Sequence, residues 1–195
     1  DYESPSYGTW EYDWRIGYET ADKYKTWSSE GYERRFAKIA GSLYPVEDFK
    51  LSWQFRVREE DEWLNWIDSN ELGVYDLTQK IISINANWFK GSKHEIRLKS
   101  QFVALEAENP ISLILDKAGY LYNHNSNVRP FTDGITSFQI RYKYEIVPLS
   151  YIYIVYTKGG RVYDDENERN TSDVFKDPWD NPDNEIFSLK FRLKY

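Results

Sequence analysis

Along most of this chain hydrophobic and polar residues alternate with a period of two, the spacing at which successive side chains fall on opposite faces of a strand. Trp10, Tyr12, Trp14, Ile16 and Tyr18 alternate with Glu11, Asp13, Arg15 and Gly17, giving one aromatic and one ionic face. A helix would scatter the same residues around its axis. Phe49, Leu51, Trp53, Phe55 and Val57 oppose Lys50, Ser52, Gln54, Arg56 and Arg58. Ile96, Leu98, Phe102 and Ala104 oppose Glu95, Arg97, Lys99 and Gln101, and Phe138, Ile140, Tyr142, Tyr144 and Ile146 oppose Ser137, Gln139, Arg141, Lys143 and Glu145. Weaker members lie at about residues 32–44, with Ala37, Ile39 and Leu43 on one face, at 78–89, with Ile82, Ile84 and Trp88, and at 151–158. At the end of the chain Phe187, Leu189, Phe191, Leu193 and Tyr195 alternate with Ser188, Lys190, Arg192 and Lys194. The pattern predicts eight antiparallel strands in one all-β domain, residues 1–195.

The expected connections alternate in length. They are short at 45–48, 90–93 and 148–150 and long at about 19–31, 59–77, 106–135 and 159–184, so both chain ends fall on the short-turn side. Gly, Pro, Asn and Asp punctuate the long ones, and negligible helix is expected, with residues 111–116 the most ambiguous. Even strand number, tight turns at one end and long loops at the other are the pattern of an outer-membrane barrel.

Period two alone does not separate such a barrel from a soluble one, whose apolar face is turned inward. The bulk of the aromatic side chains is the first discriminator, because an eight-stranded barrel has an interior barely wide enough for its own side chains. Trp10, Trp53, Trp88, Tyr144 and Tyr151, read at strand ends, fit the aromatic girdles found at headgroup level. The last strand, ending on an aromatic residue, resembles the C-terminal signal of outer-membrane barrels. That resemblance implies that Phe187, Leu189, Phe191, Leu193 and Tyr195 are read by the barrel-insertion machinery.

Composition narrows the picture. Aromatic residues make up 18% of the chain and charged residues 29%, a combination that an ordinary soluble core does not need. The longest apolar runs fall well short of the roughly 20 residues of a spanning helix. A net charge of -7 argues against nucleic acid as the main partner. With no cysteine there is neither a disulfide framework nor a thiolate metal site. The first residues lack a signal-peptide core and an initial Met, as expected of a mature or excised segment.

Several stretches carry a family resemblance: Asp61-Glu62-Trp63-Leu64-Asn65-Trp66 with Leu72-Gly73-Val74-Tyr75, Asn87-Trp88-Phe89 followed by His94-Glu95-Ile96-Arg97-Leu98-Lys99, and Tyr142-Lys143-Tyr144-Glu145-Ile146-Val147-Pro148-Leu149-Ser150 with Tyr153-Ile154-Val155-Tyr156. They resemble the C-terminal region of the bacterial family called domain of unknown function 5916, whose larger members join a carbohydrate-binding-like N-terminal domain to a membrane barrel. The resemblance spans about two thirds of the chain and includes no catalytic signature. It implies that these strands are the last part of a larger barrel; an isolated eight-stranded barrel is the competing reading.

Candidate chemistry is sparse. Only His94 and His124 are present. His94 adjoins a short turn, whereas His124 lies in a loop with Ser126 and Asp133 within sequence reach, which motivates an outer-membrane lipid-modifying or proteolytic enzyme as one alternative. The acidic stretches 164–168 and 177–184 lack the alternate-ligand spacing of a calcium loop, and no metal or cofactor is expected. Trp63, Trp66 and Trp179 read as loop aromatics able to stack on a sugar or a partner. Arg15, Arg56, Arg97, Arg141, Lys143, Lys190 and Arg192 fall on the polar strand faces, where they are expected to face a lumen and to favour anionic solutes or form a salt-bridged plug. The leading expectation is a non-enzymatic outer-membrane barrel, acting as a pore or as the anchor of a surface or periplasmic binding module. Its partners would be outer-membrane lipid and lipopolysaccharide, the insertion machinery, and other outer-membrane or surface proteins. A soluble eight-stranded ligand-binding barrel is the alternative.

Overall fold

The computed structural model describes residues 1–5, 8–20, 33–165 and 171–194. Tyr195, most of the expected loop at 19–31 and part of the acidic stretch 164–168 lie outside the described residues. The fold is a single antiparallel sheet with one helix. Eight long strands follow one another as a meander: β2 (Trp10–Thr20), β3 (Glu33–Val46), β4 (Phe49–Asp68), β5 (Glu71–Lys90), β6 (His94–Leu115), β8 (Phe131–Val147), β9 (Ser150–Asp164) and β10 (Asn184–Arg192). Two short strands are added, β1 (Tyr2–Glu3) on the outer edge of β2 and β7 (Leu121–Asn123) on the far end of β6. Among the described residues no ladder joins β10 to β2, so the sheet has two edges.

The turns follow local chemistry. The short ones at 47–48, 91–93 and 148–149 share one end of the sheet. Gly91 takes φ 59° in the middle one, a conformation that costs glycine little, and Leu149 takes φ 69° in the last. At the opposite end the structure corrects two expected loops. Residues 59–77 are strand almost throughout, and β4 turns into β5 through residues 69–70 alone. Residues 106–115 likewise continue β6. The alternation that marks a strand breaks there because the ladders are bulged: Glu62 and Asn109 adopt positive φ, and register shifts fall between Glu60 and Trp63 and between Val74 and Asp76.

The third correction is helix α1 (Thr171–Asp180), within the stretch expected to be loop. Ten residues with a proline inside make a poor autonomous helix. What holds it is its seat on the sheet. Phe175 and Trp179 pack on Phe102 and Phe138, and the fully buried Val174 and Pro178 lie over Gly134 and Gly160. A Cβ on either glycine would come within 2.5 Å and 2.3 Å of the Val174 and Pro178 carbonyl oxygens. Pro178 lacks the N–H that would bond the Val174 carbonyl, so the two features fit each other.

The core sits toward the long-connection end, on the polar side of the sheet. There Tyr75, Ala107 and Phe131 are buried against Trp63, Leu105 and Val128. Tyr75 meets Phe131 edge to face at 5.2 Å. Trp63 is thus a core residue of β4 rather than a loop aromatic, and Trp179 belongs to α1. Trp66 stays exposed at the tip of β4 and donates its indole N–H to the Ser69 carbonyl.

Candidate functional site

The ladders assign every strand residue to one of two faces. Arg15, Lys38 and Arg56 stand directly opposite one another across β2, β3 and β4. Arg97 stands opposite Arg141, Glu95 opposite Lys143, and Lys190 and Arg192 opposite Tyr153 and Tyr151. All seven cations expected on the polar face, Arg15, Arg56, Arg97, Arg141, Lys143, Lys190 and Arg192, therefore share one side of the sheet. Tyr151 is on it too, under the Lys143 ammonium at 4.5 Å, whereas Trp10, Trp53, Trp88 and Tyr144 project from the other side; Trp53 there is in the middle of β4's apolar run and not at a strand end, so neither it nor Tyr151 belongs to a girdle with the other three.

Two carboxylates organise the polar face. Glu95, nearly buried, accepts from Arg141 at 2.9 Å, pairs with Arg97 and lies 3.5 Å from the Lys143 ammonium. Three cations thus converge on one anion. Asp13 takes the Lys38 ammonium at 2.7 Å, and Arg15 reaches Asp1 at 2.5 Å. Between these clusters a polar groove of about 550 Å³ is lined by Glu11, Asp13, Lys38, Gln54, Ser83 and Asn85, among others. Lys38 and Lys99 belong to this face as fully as the seven expected cations; the parity of their positions is the signal that finds them.

The opposite face is apolar, exposed on β2–β4 and β10 and mostly half-buried on β6, β8 and β9. Ile16 and Phe187 are 70% and 69% exposed, and Trp10, Trp14, Tyr18, Trp53, Trp88, Leu189 and Phe191 also stand clear of the rest of the chain. Below α1 the apolar face is hollowed into a groove bounded by Ile84, Leu98, Phe102, Phe138, Phe175 and Trp179.

Of the residues considered for hydrolysis, His124 and Ser126 both lie beside Glu71 and Ser112, the His124 amide donating to the Ser112 carbonyl at 2.9 Å, whereas Asp133 is engaged elsewhere. Asp133 is held by the Arg161 guanidinium through two 2.7 Å hydrogen bonds. Ser126 donates to Glu71, which also accepts from Ser112 at 3.0 Å, and these two hydroxyls hold the Glu71 carboxyl below the usual carboxylate range. Burial pushes the Tyr75 phenol up to about 12, in keeping with a core residue rather than an acid. His94 bonds the Tyr142 hydroxyl through Nδ1 at 2.7 Å. Among the described residues no group of three or more acidic or histidine side chains is disposed to hold a metal ion. Comparison with known proteins returns no matching family model, no matching curated protein and no matching solved structure.

Proposed function

We propose that this chain is a wall of an outer-membrane β-barrel, non-enzymatic, whose work is to form a pore or to hold a binding module at the membrane. The observation that carries the reading is how the exposed apolar face is distributed along the register. The row through Trp14 runs Ile39, Phe55, Ile82, Phe102, Thr136 and Gly160. The middle of each strand's apolar run slides away from that row, always toward the short turns. The slide is about one residue on β3, about two on β4, about three on β5, about two on β6, about six on β8 and β9, and about seven on β10.

A drift of about one residue per strand, with roughly 3.4 Å per residue and 4.8 Å between strands, makes the belt level when the strands tilt by about 35°. That tilt falls in the range of membrane barrels, about 35–45°. A run of about eight residue steps then stands roughly 22 Å high, close to the ~25 Å apolar band of such barrels. The same tilt also serves a soluble barrel, but the apolar face would then have to pack its Trp, Tyr and Phe inside; here it is exposed on β2–β4 and β10 and half-buried on β6, β8 and β9. Soluble monomers rarely carry apolar patches beyond a few hundred Å².

Helix α1 fits the same frame. Its seat at Gly134 and Thr136 is about five to eight residues beyond the middle of the belt on β8, roughly 14–22 Å from a midplane so drawn. Phe175 and Trp179 point back toward the belt, with Lys176 beside them at the edge of the groove. Amphipathic helices with Trp and Phe on one side are common at that level. The likeness to the family called domain of unknown function 5916 belongs to this reading, as do lipopolysaccharide and the insertion machinery as partners.

The test is fractionation of expressing Gram-negative cells. Recovery of the folded chain with outer membranes, extractable by detergent and not by high salt or carbonate, is expected. A monodisperse protein in the soluble fraction would overturn the proposal and favour a ligand-binding barrel.

A further inference from the structure

We infer that the polar face carries a ring of cations at the depth of the belt's middle, and that this ring selects and binds small oxyanions such as phosphates. The inference rests on the membrane reading above and adds the solute class. Starting from Arg15 and stepping along the same drift, one residue per strand toward the short turns, the level passes within one residue of Lys38 on β3, meets Gln54 on β4, falls between Ser83 and Asn85 on β5, meets Lys99 on β6, and passes within one residue of Arg141 on β8 and Lys190 on β10. Five cations on five different strands come to a common depth, although in the ladders they stand in several different rows.

The band around that level holds more cations than carboxylates, and from β3 to β10 it carries no acid among the described residues. Arg56, Arg97, Lys143 and Arg192 lie within about three residues of it, roughly 8 Å along the membrane normal, and on this face the carboxylates in the same interval among the described residues are Asp1, Glu3 and Asp13, all at the β1–β2 edge of the sheet. Glu95 and Glu11 fall just below, and Glu60 and Asp133 well above. Like charges placed directly opposite on neighbouring strands are unfavourable, yet the sheet keeps the row Arg15, Lys38 and Arg56 and the pair Arg97 and Arg141. Asp1 pairs with Arg15, Asp13 with Lys38, and Glu95 is shared by Arg97, Arg141 and Lys143. Lys99 and Lys190 have no ion-pair partner among the described residues, and the buried Arg141 Nε has no hydrogen-bond acceptor. An oxyanion at this depth would supply the missing acceptors, with guanidinium groups suited to bind it through two hydrogen bonds.

The experiment uses the full chain in two settings. In planar bilayers under a potassium chloride gradient, the reversal potential is expected on the chloride side, and the Lys99→Gln, Arg141→Gln, Lys190→Gln triple variant is expected to move it to zero or beyond. In detergent at low salt, calorimetric titration with inorganic pyrophosphate is expected to show binding weakened at least tenfold in the same variant and unchanged by Lys176→Gln on α1. Cation selectivity in the wild type, or absence of pyrophosphate binding, overturns this inference while leaving the membrane reading intact. That reading fails separately, if the chain does not fractionate with outer membranes.

Discussion

Leu149 is the residue at which the backbone asks for something the side chain does not supply. It follows Pro148 in the two-residue turn between β8 and β9 and takes φ 69°, the pattern of a type II turn, whose second position favours glycine or asparagine. A left-handed conformation costs a residue with a Cβ roughly 1–2 kcal/mol, and Leu149 is half exposed, so little packing offsets that cost. Its amide donates to the Glu145 carboxylate at 3.2 Å, a contact that any residue but proline keeps. Leu149→Asn is therefore expected to stabilise the protein by about 1 kcal/mol, seen as a higher urea midpoint for unfolding from lipid vesicles. A midpoint that stays the same or falls would mean that the turn is not strained, or that Leu149 makes contacts in the membrane which outweigh the strain.

At the scale of elements, the contrast between the belt strands and α1 explains what was legible in the sequence. The segments built around Trp14, Trp53, Leu98 and Tyr142 alternate without interruption because both faces of the sheet have uniform surroundings over that length, and each was readable as a strand with its faces correctly assigned. Beyond the belt the surroundings change from residue to residue. The bulges at Glu62 and Asn109 invert the alternation of β4 and β6, and on β5 the consecutive Val74 and Tyr75 are buried on opposite faces, so the outer halves of these strands are not legible as strand and Trp63 reads as a surface aromatic instead of a partner of Tyr75 and Phe131. Helix α1 was illegible for a different reason: its stability is tertiary, arising from glycines on other strands that let its backbone approach. Gly160→Val puts a branched side chain where even a Cβ lies 2.3 Å from the Pro178 carbonyl oxygen, and it is expected to unseat α1 while leaving the strand ladders formed. Loss of protection against proteolysis within 171–180, with an unchanged strand signal in circular dichroism, is the expected pair of observations. Continued protection of that segment would show that the helix is held by something other than its seat on β8 and β9.

At the scale of the whole molecule, the tilt inferred from the belt makes a depth-dependent claim that no single residue could make. Ile84 on β5 lies within one residue of the belt's middle and faces the apolar side, its neighbour Asn85 lies at the same depth on the polar side, and Phe49 on β4 lies about four residues from the middle, roughly 11 Å nearer the short turns. Arginine on a lipid-facing strand costs about 2–4 kcal/mol at the midplane and about 0–1 kcal/mol near the interface. Each arginine variant is best compared with alanine at the same position, so that lost packing cancels. On that scale Ile84→Arg is expected to be the most costly, Phe49→Arg to cost about 1 kcal/mol or less, and Asn85→Arg to fold with near-normal stability, all read from equilibrium unfolding in vesicles. A soluble barrel with the apolar face inside reverses part of this order. There Phe49→Arg buries a charge as surely as Ile84→Arg does, because an enclosed core has no lipid headgroups to receive the guanidinium at its edge. Equal penalties at Ile84 and Phe49 would refute the membrane assignment, whereas a graded pair with a tolerant Asn85 follows from strands tilted across a bilayer with water on their polar side.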